Sequence, residues 1–183
     1  MKFLIFDTET TGFNARDRLV QLAWELYDEE NLIEQQSLIV KPYKFTIPAN
    51  VVKIHGISTQ YANEVGFPLP YVLRVFLKRL NAADYIVGHN IDYDIKVLSS
   101  EYSRLRIPSP ILRKPRICTM RESVDYVKLP PGNLFARYKL PKLSELYRFL
   151  FGKEMQGAHN AKYDVRATAE CFFELRRRGV IKV

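Results

Sequence analysis

The chain has 183 residues, and its hydrophobic content of 47% with 13% aromatic residues excludes an intrinsically disordered or fibrous protein. Its 28 Lys and Arg against 20 Asp and Glu give a net charge of +8. This charge favours a polyanionic partner such as nucleic acid, although a basic surface also serves solubility. The length suits a single domain covering residues 1–183.

The cysteines and the N-terminal segment exclude further classes of protein. Cys118 and Cys171 belong to no C-x-x-C pair and no Cys/His cluster, so we do not expect a zinc site. The apolar run from Phe3 to Phe6 is too short for a secretory signal, and no run approaches the length of a membrane span. We therefore expect a soluble, cytoplasmic protein that does not associate with membranes.

The first part of the chain predicts three strands joined by short loops. The apolar run after Lys2 is bounded by a turn signal at Gly12 and is short for a helix, so it is typical of a buried strand. Periodicity alone leaves a buried helix open at this point. Apolar segments at 19–27 and 32–40 follow, and the short loops between the three segments favour an antiparallel meander.

Helices and short strands alternate through the rest of the chain. Apolar periodicity predicts helices at 71–80, 91–105, 143–151 and about 160–178, with shorter ones at 49–55 and at about 120–126. Short strands are predicted at 85–88 and 116–119, and the segments Ser58–Pro68 and Lys128–Pro141 are predicted to be loops. A meander followed by alternating helices and strands predicts an α/β fold with a mixed sheet.

Two carboxylates close the first predicted strand. Asp7 and Glu9 are two residues apart, so on a strand their side chains point to the same face. Like charges held that close repel and raise each other's pKa, and a divalent cation, which prefers carboxylate oxygen, removes the penalty. The alternative interpretation of the pattern is an exposed acidic turn after a strand.

Two predicted helix starts carry further acids. Asp94 lies on the apolar face of the helix predicted at 91–105, although it also fits a first-turn acid favoured by the helix dipole. Asp164 falls in the first full turn of the last helix. It follows His159 and Asn160 in the sequence, and Asn160 is a good N-cap. Histidine is the usual general base near neutral pH, and the alternative here is an exposed His in a capping loop.

Taken together, these residues resemble the motifs of the DEDDh class of 3′–5′ exonucleases, the family that includes the proofreading subunit of bacterial DNA polymerase III and ribonuclease T. The motifs Asp-x-Glu-Thr-Thr-Gly, His-Asn-x-x-aromatic-Asp and His-x-x-x-x-Asp stand at residues 7–12, 89–94 and 159–164. A secondary motif for nucleotide contact, Ile-His-Gly-Ile, stands at 54–57. The resemblance extends over nearly the whole chain, and each motif alone is weak while the combination is specific.

The resemblance implies an RNase H-like fold, with a mixed five-stranded sheet flanked by helices, and two divalent ions, Mg²⁺ or Mn²⁺. By resemblance, Asp7, Glu9 and Asp164 would hold one ion. Asp7 would also bridge to the second ion, with Asp94 supporting the site. His159 would take a proton from the attacking water. Two such ions stabilise both the attacking and the leaving oxygen of an in-line displacement.

The resemblance also implies a nucleic-acid substrate, with single-stranded 3′ ends and with DNA favoured over RNA. The residues expected to contact the nucleotide are Thr8, Thr11, Gly12, His55, Gly56, Ile57 and Asn90. Phe13 would either stack on a terminal base or lie in the core. The basic residues between 104 and 116 would either follow the nucleic-acid backbone or form a solvated face.

Two other functions remain compatible with the sequence. One is a 3′-end trimming exoribonuclease of the ribonuclease T or oligoribonuclease type. The other is a nucleic-acid-binding module without activity, which we would expect to have lost one of the acids, and all of them are present. The segment Lys128–Pro141 has no counterpart that we can place in the proofreading subunit. Association with a polymerase is not supported, because the chain shows no added docking segment after the last helix.

Overall fold

The computed structural model of the chain describes residues 1–14, 17–131, 137–155 and 161–183. These residues form a mixed five-stranded sheet flanked by helices, as predicted. The strands are β1 (Lys2–Thr10), β2 (Leu19–Asp28), β3 (Asn31–Ile39), β4 (Tyr85–Gly88) and β5 (Arg116–Cys118). Their order in the sheet is β3-β2-β1-β4-β5. The first three strands form the predicted antiparallel meander, while β4 pairs in parallel with β1 and β5 in parallel with β4.

The helices of the described residues are α1 (Ala49–His55), α2 (Thr59–Val65), α3 (Leu69–Ala82), α4 (Ile91–Arg104), α5 (Thr119–Glu122), α6 (Val124–Val127), α7 (Leu143–Phe151) and α8 (Ala161–Arg177). Within these ranges, no helix combines the length and the apolar composition that crossing a membrane requires.

Two predictions about helices were wrong. The segment Ser58–Pro68 was expected to be a loop, but it contains α2, which begins where the Ser58 hydroxyl accepts a hydrogen bond from the Tyr61 N–H at 3.1 Å. Ala62 is the one buried residue in α2, so the helix has no apolar stripe that periodicity could detect. The helix predicted at about 120–126 is instead two short helices, α5 and α6, separated at Ser123. The Ser123 hydroxyl donates to the Thr119 carbonyl at 2.7 Å, a local bond that competes with regular helix.

The central strand β1 is buried on both faces and separates two apolar cores. Phe3 and Ile5 point to the face covered by α7 and α8, while Leu4 and Phe6 point to the face covered by α3 and α4. This alternation is the period of two that every strand imposes on its side chains. Asp7 continues the first of these series, so its side chain leaves the strand on the face of α8.

The parallel pairing of β1 and β4 brings their carboxyl ends to the same edge of the sheet. Ile5 of β1 lies opposite Val87 of β4, so the chain that follows each strand emerges on this edge. The turn from β4 into α4 is short, and Asn90 forms it with a φ of 66°, in the left-handed region that asparagine tolerates better than most residues. As a result, the start of α4 lies beside the end of β1.

We expect the replacement Phe76→Ala to lower the free energy of unfolding by about 3–5 kcal/mol, the usual cost of deleting a buried ring and leaving a cavity. Phe76 is fully buried, and its ring centroid lies 5.1 Å from that of Phe6 and 5.5 Å from that of Trp24. The measurement is urea denaturation followed by circular dichroism. In the control Phe149→Ala, the ring is 46% exposed, and we expect a loss of about 1 kcal/mol. Equal losses for the two variants would contradict the assignment of the core.

Candidate active site

Three carboxylates meet at the carboxyl end of β1. One oxygen from each of Asp7, Glu9 and Asp164 lies within 4.8 Å of the other two, and all three residues are half-buried. Asp7 and Glu9 share a face because they are two residues apart on the strand. Asp164 comes from the first turn of α8, which packs on this face of the sheet through Val165 and Phe172. The structure therefore brings together acids that are more than 150 residues apart in the sequence.

Asp94 reaches the same strand end from the opposite face of the sheet. It is 3% exposed, and its Oδ1 accepts two hydrogen bonds from Thr8, one from the hydroxyl at 2.6 Å and one from the backbone N–H at 3.1 Å. Thr8 lies between Asp7 and Glu9, so its side chain points away from theirs and toward α4. This pair of bonds fixes one oxygen of Asp94 against the strand that carries the other acids.

The electrostatics of the four acids are unfavourable in the absence of a cation. Burial, followed by repulsion from Asp94, Glu9 and Asp164, holds the pKa of Asp7 well above its usual range. Burial and the charges of Asp164 and Asp94 raise the pKa of Glu9 to about 8. Burial also raises the pKa of Asp94 to about 7, against the opposing effect of its bonds to Thr8. The closely spaced oxygens of Asp7, Glu9 and Asp164 fit a hard divalent cation.

Two cavities adjoin the acids. The first, which we call the His55 cavity, has a volume of about 560 Å³ and is lined by Glu9, Gly12, Phe13, His55 and Tyr93, among others. The second, which we call the Pro141 cavity, has a volume of about 590 Å³ and is lined by Asp7 and Asp164 on one side and by the segment 140–144 on another. The cluster of acids is therefore accessible from two separate spaces.

The His55 cavity contains several of the residues predicted to contact a nucleotide. Burial lowers the pKa of His55, so the ring is neutral near pH 7. Its Nδ1 accepts a hydrogen bond from the Ile57 N–H at 3.1 Å, which places the ring proton on Nε2. Gly56 between them has a φ of 78°, the left-handed conformation predicted by its place after α1. Phe13 is 73% exposed, which excludes the alternative that it lies in the core.

Three other predicted residues make hydrogen bonds within the protein. The Thr8 hydroxyl is bound to Asp94, as described above. The Thr11 hydroxyl oxygen accepts from the Arg18 N–H at 2.9 Å. The Gly12 carbonyl accepts from the hydroxyl of Tyr93 at 2.9 Å, which braces the loop after β1 against α4. Asn90 lines the Pro141 cavity. His159 and Asn160 lie outside the described residues.

The basic residues between 104 and 116 do not all form a free cationic surface. Arg104 pairs with the buried Glu101 at 2.9 Å, and Arg116 pairs with Asp92 at 3.2 Å. Arg121 pairs with the other oxygen of Asp92 at 3.1 Å. Part of this positive charge is therefore neutralised by neighbouring acids.

Sequence reasoning missed the wall formed by residues 140–144. Its first two residues belong to the segment Lys128–Pro141, which was predicted to be a surface loop because three prolines and a glycine obscure any periodicity; residues 132–136 of that segment lie outside the described residues. In the structure its Pro141 carbonyl accepts a hydrogen bond from His89 at 3.0 Å. Burial lowers the pKa of His89 to about 4, so this ring is neutral at physiological pH. No local signal in the sequence indicates a contact between residues that are 52 positions apart.

The chain is similar to known proteins in sequence and in structure. A family model described as exonuclease matches residues 4–172. The chain is 28% identical over 172 residues to the DNA polymerase III PolC-type of Streptococcus thermophilus, which covers 93% of this chain and 11% of that protein. Among solved structures, E. coli Exonuclease I in complex with a dA16 oligonucleotide superposes with a TM-score of 0.80 at 25% identity, covering 97% of this chain and 41% of that one.

A second Exonuclease I, from Methylocaldum szegediense, superposes with a TM-score of 0.78 at 26% identity, covering 97% of this chain and 40% of that one. The chain thus spans about a ninth of the PolC-type protein and two fifths of the Exonuclease I chains. These likenesses confirm the predicted family resemblance and the predicted fold.

We expect the replacement Glu9→Gln to stabilise the cation-free protein at high pH and not at low pH. The folded pKa of about 8 exceeds the value of 4.5 for a free glutamate, so ionisation of Glu9 costs stability that is intact below pH 4.5 and lost as the pH rises through 8. Urea denaturation in EDTA should show a gain of about 1–3 kcal/mol at about pH 9 and little gain at about pH 5. The exposed control Glu122→Gln should show no such pH dependence. Equal stability of Glu9→Gln and wild type at about pH 9 would mean that burial and the neighbouring acids do not raise the pKa of Glu9.

We expect the replacement Thr8→Val to weaken Mn²⁺ binding by about tenfold, because loss of an outer partner of a metal-binding carboxylate usually costs 10- to 100-fold in affinity. The variant keeps the shape of the side chain and removes the 2.6 Å bond to Asp94. Isothermal titration calorimetry measures the affinity, and Thr8→Ser, which keeps the hydroxyl, is the matched control. Wild-type affinity in Thr8→Val would show that this bond does not position Asp94.

Proposed function

Because the chain belongs to the exonuclease family, we propose that it is a DEDDh-class 3′–5′ exonuclease that releases nucleoside 5′-monophosphates from single-stranded DNA ends. The observation that carries the proposal is the meeting of Asp7, Glu9 and Asp164 within 4.8 Å, with Asp94 fixed behind them by Thr8. Acids held this close serve no purpose in stability, since burial and repulsion from their neighbours raise the pKa values of Asp7 and Glu9. They suit a site that binds cations.

Asp7, Glu9 and Asp164 would hold one divalent ion, Mg²⁺ or Mn²⁺, and Asp7 would be shared with a second, which Asp94 supports. Bound divalent ions neutralise the charge that develops on the phosphate oxygens and orient a water for in-line attack. The protein keeps the carboxylates at a fixed spacing. The pleat of β1 positions Asp7 and Glu9, and the packing of α8 on the sheet positions Asp164. The net charge of +8 favours the approach of a polyanion to this acidic centre.

His159 would act as the general base and accept the proton of the attacking water on its imidazole. The support for this assignment is the sequence, which places His159 five residues before Asp164, together with the family to which the chain belongs. The neutral His55 and His89 are poorer choices, because His55 uses Nδ1 to accept from Ile57 and His89 has hydrogen bonds at both ring nitrogens.

The His55 cavity would hold the 3′-terminal nucleotide. It lies beside Glu9, and its exposed Phe13 offers an aromatic face on which any base can stack, which is worth about 1–3 kcal/mol and does not depend on sequence. Gly12 also lines this cavity and has no side chain, which permits a close approach of the ligand to its backbone. DNA is the favoured substrate because the Exonuclease I relative is bound to a DNA oligonucleotide.

We expect Asp7→Asn to reduce the rate of digestion of a 5′-labelled oligodeoxynucleotide by at least about a hundredfold, since loss of a shared metal ligand removes several kcal/mol of transition-state stabilisation. The assay contains Mg²⁺ and is repeated in EDTA, which should abolish activity. The matched control is Asp92→Asn, in which an acid two residues from Asp94 loses its charge while the site keeps its carboxylates.

Gel analysis separates the possible outcomes. Shortening from the 3′ end with release of 5′-monophosphates is expected. Digestion that persists in EDTA or in Asp7→Asn would contradict the assignment of the site. A parallel reaction with RNA of the same sequence decides the substrate, and faster digestion of RNA would identify a 3′-end trimming exoribonuclease.

A further inference from the structure

His89 joins the end of β4 to the wall of the Pro141 cavity. Its Nε2 lies 3.0 Å from the Pro141 carbonyl, and its Nδ1 lies 3.0 Å from the Thr119 hydroxyl. A carbonyl can only accept, so Nε2 carries the proton and donates it to Pro141. In the neutral ring Nδ1 is then an acceptor. The Thr119 hydroxyl lies 3.0 Å from it and 3.3 Å from the Gly88 carbonyl, so it donates to Nδ1 over the shorter distance. Both ring nitrogens thus make hydrogen bonds within the protein, and His89 connects the segments that contain Thr119 and Pro141.

The wall itself is braced from the side of α7. The Lys139 ammonium pairs with Glu145 at 2.6 Å, and the Lys142 N–H donates to the other oxygen of Glu145 at 2.8 Å. These contacts hold the segment to the helix that follows it. The bond from His89 differs from them because it ties Pro141 directly to the end of β4, in addition to the packing of Leu143 against the core on the face of α7 and α8. The end of the sheet carries Asp7, so the distance between Pro141 and the acids depends in part on His89.

The lining of the Pro141 cavity suits a nucleotide. Met120, Leu140 and Met155 offer apolar surface that a sugar or a base can contact, and thioethers adapt to irregular shapes. Lys142 is exposed and supplies an ammonium for a phosphate, with the Ser144 hydroxyl in the same lining. Apolar surface combined with a small number of polar groups is the usual composition of a ligand site.

The position of the cavity relative to the acids determines which nucleotide it takes. A phosphodiester centred on Asp7, Glu9 and Asp164 has one nucleotide on each side, so the substrate needs two spaces that meet at these residues. The His55 cavity and the Pro141 cavity are two such spaces. If the 3′-terminal nucleotide occupies the first, the second is the space beside Asp7 and Asp164 that is available to the nucleotide on the 5′ side of the scissile bond.

We propose that the Pro141 cavity binds the nucleotide on the 5′ side of the scissile bond, and that His89 is a positioning residue that sets the wall of this cavity against the sheet. The inference rests on the proposed function, since it takes the reaction centre to be the cluster of acids. His89 itself contacts neither the cation nor the reacting atoms in this arrangement. Its loss should weaken the binding of an oligonucleotide and leave the chemistry at the acids intact.

The test compares two substrates that differ in what they place in the Pro141 cavity. The p-nitrophenyl ester of thymidine 5′-monophosphate places only its aromatic leaving group on the 5′ side of the scissile bond, with no sugar, base or further phosphate there. A short oligothymidylate places a complete nucleotide on that side and fills both cavities. For His89→Leu we expect the KM for the oligothymidylate to rise about tenfold, the effect of about one lost hydrogen bond, with kcat within about twofold of wild type. The kcat/KM for the ester should be unchanged within about twofold.

Two further variants sharpen the comparison. His89→Gln retains an amide N–H that can donate to the Pro141 carbonyl, so it should restore most of the lost affinity. Lys142→Ala alters the lining directly and should also raise the KM for the oligothymidylate and not that for the ester. Thermal midpoints by circular dichroism establish that each variant is folded, and Lys142→Ala still tests the cavity if His89→Leu does not fold.

The outcomes distinguish this inference from the proposed function. An equal loss on both substrates in His89→Leu would mean that His89 supports the acids, and wild-type KM values in both His89→Leu and Lys142→Ala would mean that the cavity binds no nucleotide. If the wild type hydrolyses neither substrate, the proposed function fails. The dissociation constants of oligothymidylate and thymidine 5′-monophosphate, measured by calorimetry for wild type, His89→Leu and Lys142→Ala, then decide the role of the cavity. Weaker binding of the oligomer alone supports it, and unchanged binding overturns it.

Discussion

The repulsion among the carboxylates at the end of β1 is the constraint on which the site depends. Asp7 lies on the central strand, where burial and three nearby acids oppose its ionisation. The protein tolerates this cost because both faces of β1 are covered by large apolar cores, which hold the strand in place regardless of the charge at its end. The first half of β1 therefore contributes to stability through its buried apolar side chains. Its last residues, Asp7 and Glu9, contribute carboxylates to the site.

The acids approach this strand end from both sides of the sheet. Asp164 arrives with α8 on the face of Asp7 and Glu9, and Asp94 arrives with α4 on the face of Thr8. The position of each acid is fixed by a different core, because α4 packs in the core on one face of the sheet and α8 in the core on the other. Thr8 lies between Asp7 and Glu9 on the strand, so its side chain points to the opposite face, toward Asp94. This orientation explains why a hydroxyl at this position can bind Asp94.

The two cavities differ in how they are attached to the rest of the molecule. The His55 cavity is bounded by β1, which is the central strand of the sheet, and by α1, whose Val51 belongs to a small core with Val20 and Ile57. The Pro141 cavity is bounded on one side by the wall, whose residues 140–142 precede α7, have no regular structure and are attached through individual hydrogen bonds and a neighbouring ion pair. Single bonds of this kind are worth about 1 kcal/mol each, so the width of the second cavity is easier to change by substitution than that of the first.

The sequence by itself determined the strands and most of the helices, because alternation, apolar periodicity and glycine stops are local signals. It also identified Asp7 and Glu9 as a pair, since the pleat of a strand fixes their relation within three residues. It did not predict α2, because this helix buries a single residue and so has no apolar periodicity. It also did not predict that residues 140–144 form the wall of a cavity. The bonds of Thr8 to Asp94 and of His89 to Pro141 join residues 86 and 52 positions apart. Only tertiary structure decides such contacts, because they depend on how helices pack on a sheet and not on the pattern of either segment.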